Sequence, residues 1–183
     1  MRKPALIAAL GLALALPLAW ADSTVMVGGQ SMFPSKDIVD NAVNSADHTT
    51  LVAAVKAAGL VDALKGKGPL TVFAPTNEAF GKLPAGTVDN LVKPENKATL
   101  TKVLTYHVVA GKYDYAALSA AIKAGGGHAE LPTLEGGKLS FMWNGPRNIV
   151  VKDEGGHVAN ISTYDVTQSN GVIQVIDTVL MPN

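Results

Sequence analysis

The feature that most constrains the fold lies near the end of the chain, where an Asn-Gly pair precedes an almost continuously apolar segment. The pair is Asn170-Gly171, and the apolar segment covers residues 172–180. An Asn-Gly pair between β-forming segments is a strong signal for a hairpin. A strand without polar alternation has to be covered on both of its faces. The sequence therefore predicts a central strand inside a layered interior, joined by a hairpin to the residues just before it.

The order of the predicted elements indicates the class of fold. Residues 35–65 show helical spacing of their apolar side chains, and Gly59 is well placed to end the second of these helices. Residues 70–74 are β-formers in a run too short for a helix, and Pro75 stops the run. The last third of the chain is rich in predicted strands. Helices therefore precede strands instead of alternating with them, which predicts an α+β fold in one domain over residues 35–183.

The first residues have the layout of a secretory signal. Arg2 and Lys3 precede an apolar stretch over residues 5–18, and Ala19-Trp20-Ala21 follows with small residues at the positions typical of a cleavage site. The apolar stretch is shorter than the ~20 residues that a membrane-spanning helix needs. We therefore expect a signal peptide over residues 1–21 and no transmembrane anchor once it has been cleaved.

Residues 22–34 are mostly small and polar. They include the pair Gly28-Gly29 and show no periodicity, which predicts a flexible leader. The expected localisation is secreted, in the periplasm or outside the cell. The chain has no cysteine, so such an exported protein has to be stable from its core alone. A chain of ~150 residues can achieve this, because it buries roughly 70% of its unfolded surface.

Composition and motifs exclude several classes of function. The formal net charge is +0 and the basic residues are scattered, so the chain lacks the electrostatic pattern of a nucleic-acid binder. The absence of cysteine removes thiolate nucleophiles and thiolate metal sites. No phosphate-binding glycine loop and no Gly-x-Ser-x-Gly or His-Glu-x-x-His motif is present. The four histidines are far apart in the sequence. We therefore expect no enzyme activity, no metal site and no cofactor.

Three segments, taken in order, resemble the motifs of the fasciclin domain family. Residues 71–80 read TVFAPTNEAF and are similar to its first signature box. Residues 104–109 read LTYHVV, are similar to its central tyrosine–histidine motif, and favour a strand from residue 106. Residues 170–177 read NGVIQVID and are similar to its second box. The resemblance implies a fasciclin-like fold, with N-terminal helices packed on a mostly antiparallel, wedge-like β-sheet and with the two boxes in neighbouring strands.

The resemblance also implies which residues would carry recognition. Fasciclin domains are extracellular or periplasmic interaction modules associated with cell adhesion, and no catalytic residues are attributed to them. In animal members, integrin binding is assigned to the tyrosine–histidine motif, which matches Tyr106 and His107 here. It is also assigned to an Asp-Ile pair, which matches Asp165 and Val166, with valine in place of isoleucine. The alternative reading places Tyr106 and His107 in the core with no partner, and makes Asp165 an ordinary carboxylate beside a turn.

Two functions stay open on these grounds. The first is a secreted, non-catalytic interaction module for cell adhesion, binding a cell-surface or matrix protein or polysaccharide. Weak self-association is expected with it, since single weak contacts need avidity. The alternative is a periplasmic or extracellular carrier of a small apolar ligand, which an apolar cavity of ~300 Å³ or more would favour. Asn160-Ile161-Ser162 is formally a glycosylation sequon.

Overall fold

The structure is a computed structural model that describes residues 24–183. The predicted signal peptide, residues 1–21, lies outside the described residues. The described α-helices are α1 (Ile38–Ala42), α2 (Thr49–Ala58), α3 (Val61–Lys65), α4 (Asn77–Gly81), α5 (Thr87–Leu91), α6 (Lys97–Tyr106) and α7 (Tyr115–Ala124). The described strands are β1 (Val25–Val27), β2 (Gln30–Met32), β3 (Leu70–Pro75), β4 (Val108–Ala110), β5 (His128–Pro132), β6 (Lys138–Trp143), β7 (Ile149–Lys152), β8 (Val158–Gln168) and β9 (Gly171–Ile176). Two 3-10 turns, Ala46–His48 and Pro94–Asn96, precede α2 and α6.

Seven strands form one mixed sheet in the order β4-β3-β9-β8-β7-β6-β5. β3 and β9 are parallel, and the other neighbours are antiparallel. The two outer strands also approach each other, because Val109 forms a bridge with Thr133 and the Leu134 N–H donates to the Val108 carbonyl at 2.8 Å. The packing of helices on a β-sheet agrees with the prediction. The predicted antiparallel wedge matches only in part, because β3 and β9 are parallel and the sheet is nearly closed into a barrel.

The two signature boxes lie side by side. Phe73 in β3 is opposite Gln174 in β9, in parallel register. Every residue of β9, including Gln174, is buried, as its almost continuously apolar sequence predicts. β3 is likewise buried from its second residue onward. The predicted adjacency of the two boxes is therefore confirmed.

The Asn-Gly pair forms the predicted hairpin in an unexpected way, since the connecting residues are Ser169-Asn170 and Gly171 already belongs to β9. A Cβ atom on Gly171 would lie 2.0 Å from the Leu70 carbonyl oxygen, so glycine is needed there for close strand packing. The Asn170 amide accepts from the Ile38 N–H at 3.0 Å and donates to the Leu64 carbonyl at 2.8 Å. The pair therefore ties the hairpin to helices α1 and α3.

The sheet separates two hydrophobic clusters. Val72 and Ala74 point toward the helices α2, α4 and α6, whereas Phe73 between them points into the barrel. This alternation follows from the two-residue period of a strand. Inside the barrel, the rings of Phe73 and Phe141 have centroids 5.2 Å apart. β3 thus contributes side chains to both interiors, as does its parallel neighbour β9.

The prediction of a flexible leader is wrong for residues 25–32. β1 and β2 form an antiparallel hairpin whose turn is Gly28-Gly29, with φ of 58° and 72°. Two residues with positive φ make the turn type that suits the twist of paired strands, and Gly-Gly adopts it readily. Val27 and Met32 are buried against the domain. The glycine pair that suggested flexibility is therefore the turn of an ordered hairpin.

The strand predicted from residue 106 starts two residues later. Tyr106 is the last residue of α6, His107 is its C-cap, and β4 begins at Val108. His107 continues the helical stripe of Leu100, Val103 and Leu104, and its Nδ1–H donates to the Val103 carbonyl at 2.9 Å. This side-chain bond satisfies one of the carbonyls that every helix leaves free at its end. The helix therefore extends further than the β-forming residues suggested.

Candidate functional site

Tyr106 is completely buried at the end of α6. Its hydroxyl donates to the Lys138 carbonyl at 2.7 Å and accepts from the Glu154 N–H at 3.1 Å. Burial raises the pKa of the Tyr106 phenol. The side chain therefore joins α6 to the β6 end of the barrel and offers no atom to an outside partner.

His107 is 2% exposed and uses both of its ring nitrogens internally. Nδ1–H donates to the Val103 carbonyl, and Nε2 accepts from the Leu180 N–H at 3.0 Å. This pattern requires the neutral imidazole, because the charged form has no acceptor atom. Burial lowers the pKa of His107 to about 4. The neutral histidine therefore links α6 to the C-terminal segment by hydrogen bonds.

Asp165 and Val166 lie where β8 is irregular. Val166 is buried. Asp165 has a φ of 57°, and its Oδ1 accepts from the Tyr115 N–H at 2.7 Å and from the Gln174 amide at 3.0 Å. The carboxylate thus meets the first residue of α7, where the helix dipole favours negative charge. Asp165 is half-buried and positions a helix.

The surroundings of these four residues argue against partner contact by three of them, Tyr106, His107 and Val166, and leave Asp165 half-buried. Tyr106, His107 and Val166 are in the core, and Oδ1 of the half-buried Asp165 carboxylate accepts two internal hydrogen bonds. Buried polar side chains that are fully hydrogen-bonded have no free atoms for recognition. Of the readings left open by the sequence, the core reading of Tyr106 and His107 is the one observed. Recognition has to be sought on other residues.

An apolar cavity lies between the β1–β2 hairpin, the first three helices and β3. Its volume is about 80 Å³, and its walls include Val27, Met32, Leu51, Val55 and Val72. A site for a drug-sized ligand has a volume of about 300 Å³ or more. The cavity therefore gives no support to the carrier that the sequence left open as the alternative.

A serine–histidine pair is the polar feature of this cavity. Ser45 Oγ lies 2.8 Å from His48 Nδ1, and both residues are buried. His48 Nε2 is buried and has no hydrogen-bond partner among residues 24–183. Burial lowers the pKa of His48, against the smaller raising effect of the Ala74 backbone carbonyl. The serine–histidine pair thus adds polar atoms to a largely apolar wall.

Three half-buried aromatic rings meet on the outer surface. The ring of Tyr115 lies edge-on to Trp143 at 6.3 Å and to Tyr164 at 5.1 Å between centroids. The Tyr164 hydroxyl accepts from the Ile149 N–H at 2.8 Å, so this ring is held in place. Burial raises the pKa of Tyr164. Together with Arg147, these three rings form what we call the aromatic surface.

Arg147 stands in the exposed turn that follows Trp143 and the end of β6, after Asn144-Gly145-Pro146. It is the sole arginine of the described residues, and none of the ion pairs found there involves it. The Tyr115 hydroxyl and the Trp143 indole N–H likewise make no hydrogen bond within the described part of the chain. Sequence reasoning missed this surface, because its members come from α7, β6, β8 and a turn.

Within residues 24–183, no group of three or more His, Asp or Glu side chains is arranged to hold a metal ion. No helix in that part of the chain combines the length and the apolar character needed to cross a membrane.

Comparisons with known proteins agree with the geometry. The family model described as "Fasciclin domain" matches residues 46–182. Protein sll1483 of Synechocystis sp. is 48% identical over 145 residues, which cover 79% of this chain and 73% of that protein. The immunogenic protein MPB70 of Mycobacterium bovis is 37% identical over 146 residues, covering 77% of this chain and 66% of that one. The cell surface glycolipoprotein MPB83 of the same species is 42% identical over 123 residues, covering 67% and 48%.

A solved structure supports the fold. The FAS1 domain pair from the insect cell adhesion molecule Fasciclin I superposes with a TM-score of 0.71 at 20% sequence identity. The match covers 81% of this chain and 52% of that one. At this identity the likeness concerns the architecture alone.

Proposed function

Since the chain belongs to the fasciclin domain family, we propose that it is a secreted, non-catalytic interaction module that attaches to a cell surface or matrix. A relative that is 42% identical is named a cell surface glycolipoprotein. The structure that shares the fold comes from a cell adhesion molecule. The proposed partner is a surface or matrix protein or polysaccharide that carries acidic groups.

The observation that carries the proposal is the composition of the aromatic surface. Trp, Tyr and Arg are the residues most enriched among those that dominate binding energy at interfaces. Here Tyr115 contacts both Trp143 and Tyr164, and Arg147 lies in the turn that follows Trp143 in the chain. A guanidinium without an internal carboxylate partner favours an acidic group on the partner.

The scaffold keeps this surface rigid. Tyr115 is the first residue of α7, and Asp165 accepts a hydrogen bond from its N–H. Tyr164 is held by its bond to Ile149. Side chains that are already ordered lose less entropy on binding. The buried family motifs thus support the proposed surface without touching the partner.

Binding to cell envelopes tests this proposal. The purified protein is sedimented with bacterial envelope fragments, either intact or treated with protease. We expect the wild type to co-sediment with the fragments, and Trp143→Ala and Arg147→Glu to bind them at least tenfold more weakly. High salt should weaken binding of the wild type more than binding of Arg147→Glu. Protease sensitivity of the envelope distinguishes a protein partner from a polysaccharide.

Leu134→Ala is the matched control. Leu134 is 50% exposed and lies next to the opposite end of β6, so its truncation removes exposed apolar surface without altering the aromatic surface. Equal sedimentation of all variants, or none for the wild type, would contradict the proposed surface. Weak self-association, which avidity favours, is read from the concentration dependence of the sedimentation coefficient.

Secretion is tested separately. Expression of the full chain in a bacterium with a general export pathway is expected to yield a periplasmic or extracellular product that starts at Asp22. Intact-mass measurement reads the cleavage position. A product that retains Met1 would contradict the proposed signal peptide while leaving the adhesion proposal to the sedimentation test.

A further inference from the structure

We propose that Asn144-Gly145, in the turn between β6 and β7, is a site of spontaneous deamidation in the folded protein, and that the fold protects Asn170-Gly171 from the same reaction. These are the two Asn-Gly pairs of the chain. The reaction converts an asparagine into aspartate or isoaspartate and consumes only water. It is a covalent modification of one turn and goes beyond the adhesive function.

The chemistry depends on the residue that follows the asparagine. Its backbone nitrogen gives its proton to solvent and attacks the asparagine Cγ, so that an N–C bond forms and the side-chain nitrogen leaves as ammonia. Glycine allows this attack most easily, because it has no Cβ atom to obstruct the approach. Water then opens the resulting succinimide ring. Cleavage of the new N–C bond gives aspartate, and cleavage of the original peptide bond gives isoaspartate.

The turn at Asn144 leaves the reacting atoms free. Asn144 and Gly145 are both exposed, and no atom of a non-neighbouring residue lies within 4 Å of the place where a Cβ on Gly145 would stand. Within residues 24–183, the Gly145 N–H makes no backbone hydrogen bond. The Asn144 amide nitrogen lies 3.5 Å from Asn160 Oδ1, at the limit of a hydrogen bond. The side chain can therefore turn toward the Gly145 nitrogen.

The strands on either side of this turn do not have to separate for the ring to close. Trp143 and Ile149 are paired across β6 and β7, and the Asn144 N–H donates to the Asn148 carbonyl at 2.8 Å. The reacting bonds lie beyond these contacts, toward the tip of the turn. Residues at loop tips move without opening the elements that they connect. Deamidation at Asn144 is therefore a reaction of the native state.

Asn170 has the same neighbour but lies in a different environment. Its Oδ1 accepts from the Ile38 N–H at 3.0 Å, and its Nδ2 donates to the Leu64 carbonyl at 2.8 Å. Gly171 is buried and lies between β3 and β8. Ring closure would break the side-chain bonds and pull Gly171 out of the sheet. The reaction at Asn170 therefore requires opening of the sheet, which is rare in a folded domain.

Deamidation changes the charge of the turn that carries Arg147. A carboxylate replaces a neutral amide three residues before Arg147, and isoaspartate also adds a methylene group to the main chain. A carboxylate attracts the guanidinium and repels an acidic partner. We therefore expect the modified protein to bind an acidic surface more weakly, a consequence that rests on the proposed function.

Peptide mapping by mass spectrometry tests the modification itself. The folded wild type is held at mildly alkaline pH, and the peptides that contain Asn144 and Asn170 are followed over time. We expect conversion at Asn144 to be at least tenfold faster than at Asn170. The rate at Asn144 should rise with pH, because the attacking nitrogen has to lose its proton. No conversion at Asn144, or equal rates at the two sites, would overturn the proposal.

The unfolded chain is the control for local sequence. In guanidinium chloride the two Asn-Gly pairs should react at similar rates, because both then lack the contacts of the folded state. A preference for Asn144 that persists in the denaturant would show that the fold does not protect Asn170. Asn144→Gln is the matched variant, since the longer side chain keeps the amide but closes a six-membered ring slowly, and its conversion should be at least tenfold slower.

Envelope sedimentation tests the consequence for binding. Asn144→Asp should bind about threefold more weakly than freshly prepared wild type at low salt, and Asn144→Gln should bind as the wild type does. Unchanged binding of Asn144→Asp beside weakened binding of Arg147→Glu would overturn the consequence. If the fresh wild type does not bind, the proposed function fails and the consequence with it, whereas the peptide map still decides the deamidation.

Discussion

At the scale of single residues, the tyrosine–histidine motif acts by holding the end of the chain in place. His107 Nε2 accepts from the Leu180 N–H, and the buried Asp153 carboxylate accepts from the Met181 N–H at 2.9 Å. Two successive backbone donors of the C-terminal segment are therefore bonded to side chains from α6 and from the turn after β7. Loss of either acceptor leaves a buried N–H without a partner, which destabilises the fold.

We predict that His107 makes stability depend on pH. Its pKa is about 4 in the folded state and close to 6.5 in the unfolded chain. Below pH 6.5, His107 takes up a proton in the unfolded state before it does so in the folded state. The free energy of unfolding is therefore highest above pH ~6.5 and falls as the pH drops toward 4. The shift corresponds to a loss of about 3 kcal/mol. Urea unfolding of the wild type at a series of pH values measures it.

His107→Gln separates this effect from that of other groups. The variant is less stable near pH 7 because it loses the fit between α6 and Leu180, but its stability should fall less steeply between pH 6.5 and 4. His48→Gln reports the contribution of the other buried histidine, whose pKa is also lowered by burial. Parallel pH curves for wild type and His107→Gln would show that His107 does not carry the dependence.

Asp165 provides a second prediction for a single residue. Asp165→Ala removes the acceptor for the Tyr115 N–H and for the Gln174 amide, so we expect destabilisation by about 2 kcal/mol. Asp165→Asn keeps an acceptor and should cost less. Glu95→Ala removes an exposed carboxylate and should change stability by less than about 0.5 kcal/mol. Chemical denaturation compares the three. If Asp165→Ala leaves the free energy of unfolding unchanged, the carboxylate does not hold α7.

At the scale of elements, the N-terminal hairpin extends the domain beyond the family match. The family model begins at residue 46, whereas β1 and β2 lie before it and cover the cluster that includes Leu51 and Val55. The hairpin also forms part of the cavity wall. An element outside the shared domain thus completes its interior.

The turn of this hairpin predicts a difference between two neighbouring glycines. Both have positive φ, so alanine at either position costs about 1–2 kcal/mol. A Cβ on Gly28 would also lie 2.7 Å from Ser45 Oγ and from the Asp47 backbone nitrogen, whereas nothing lies within 4 Å of one on Gly29. Gly28→Ala should therefore destabilise the protein by about 1–3 kcal/mol more than Gly29→Ala. Equal unfolding free energies for the two variants would contradict this packing.

Elements with a clear local pattern were predictable, and elements paired over long range were not. The helix that ends at Gly59 follows a local rule, and so does the cap of α4, where Thr76 Oγ1 accepts from the Ala79 N–H. β5 has no such signal, because only Leu131 in it is buried and glycines precede it. The Asn77 side chain accepts from the Thr50 N–H at 3.0 Å and so caps α2 from a distant part of the chain. Nothing local in the sequence brings those two residues together.

At the scale of the whole molecule, β3 joins the two interiors, so a defect there affects both. Phe73 is completely buried and contacts Phe141 inside the barrel. We predict that Phe73→Ala lowers the free energy of unfolding by about 3–5 kcal/mol through the cavity it leaves. Phe33→Ala is the matched control, because Phe33 is 41% exposed, and should cost less than about 1 kcal/mol. Thermal unfolding measures the loss of stability in both variants. Similar losses would show that the burial of Phe73 is not the cause of its effect.

The amino-acid sequence by itself determined the α+β class, the two buried boxes and their family, because these depend on apolar periodicity and on motifs that are contiguous in the chain. The tertiary structure alone decided that β3 and β9 are parallel, that the sheet nearly closes, and that Tyr106, His107 and Val166 face inward. It also assembled the aromatic surface and the His48 cavity from elements far apart in the chain. Which way a side chain points, and what stands opposite it, depends on long-range pairing that no local pattern encodes.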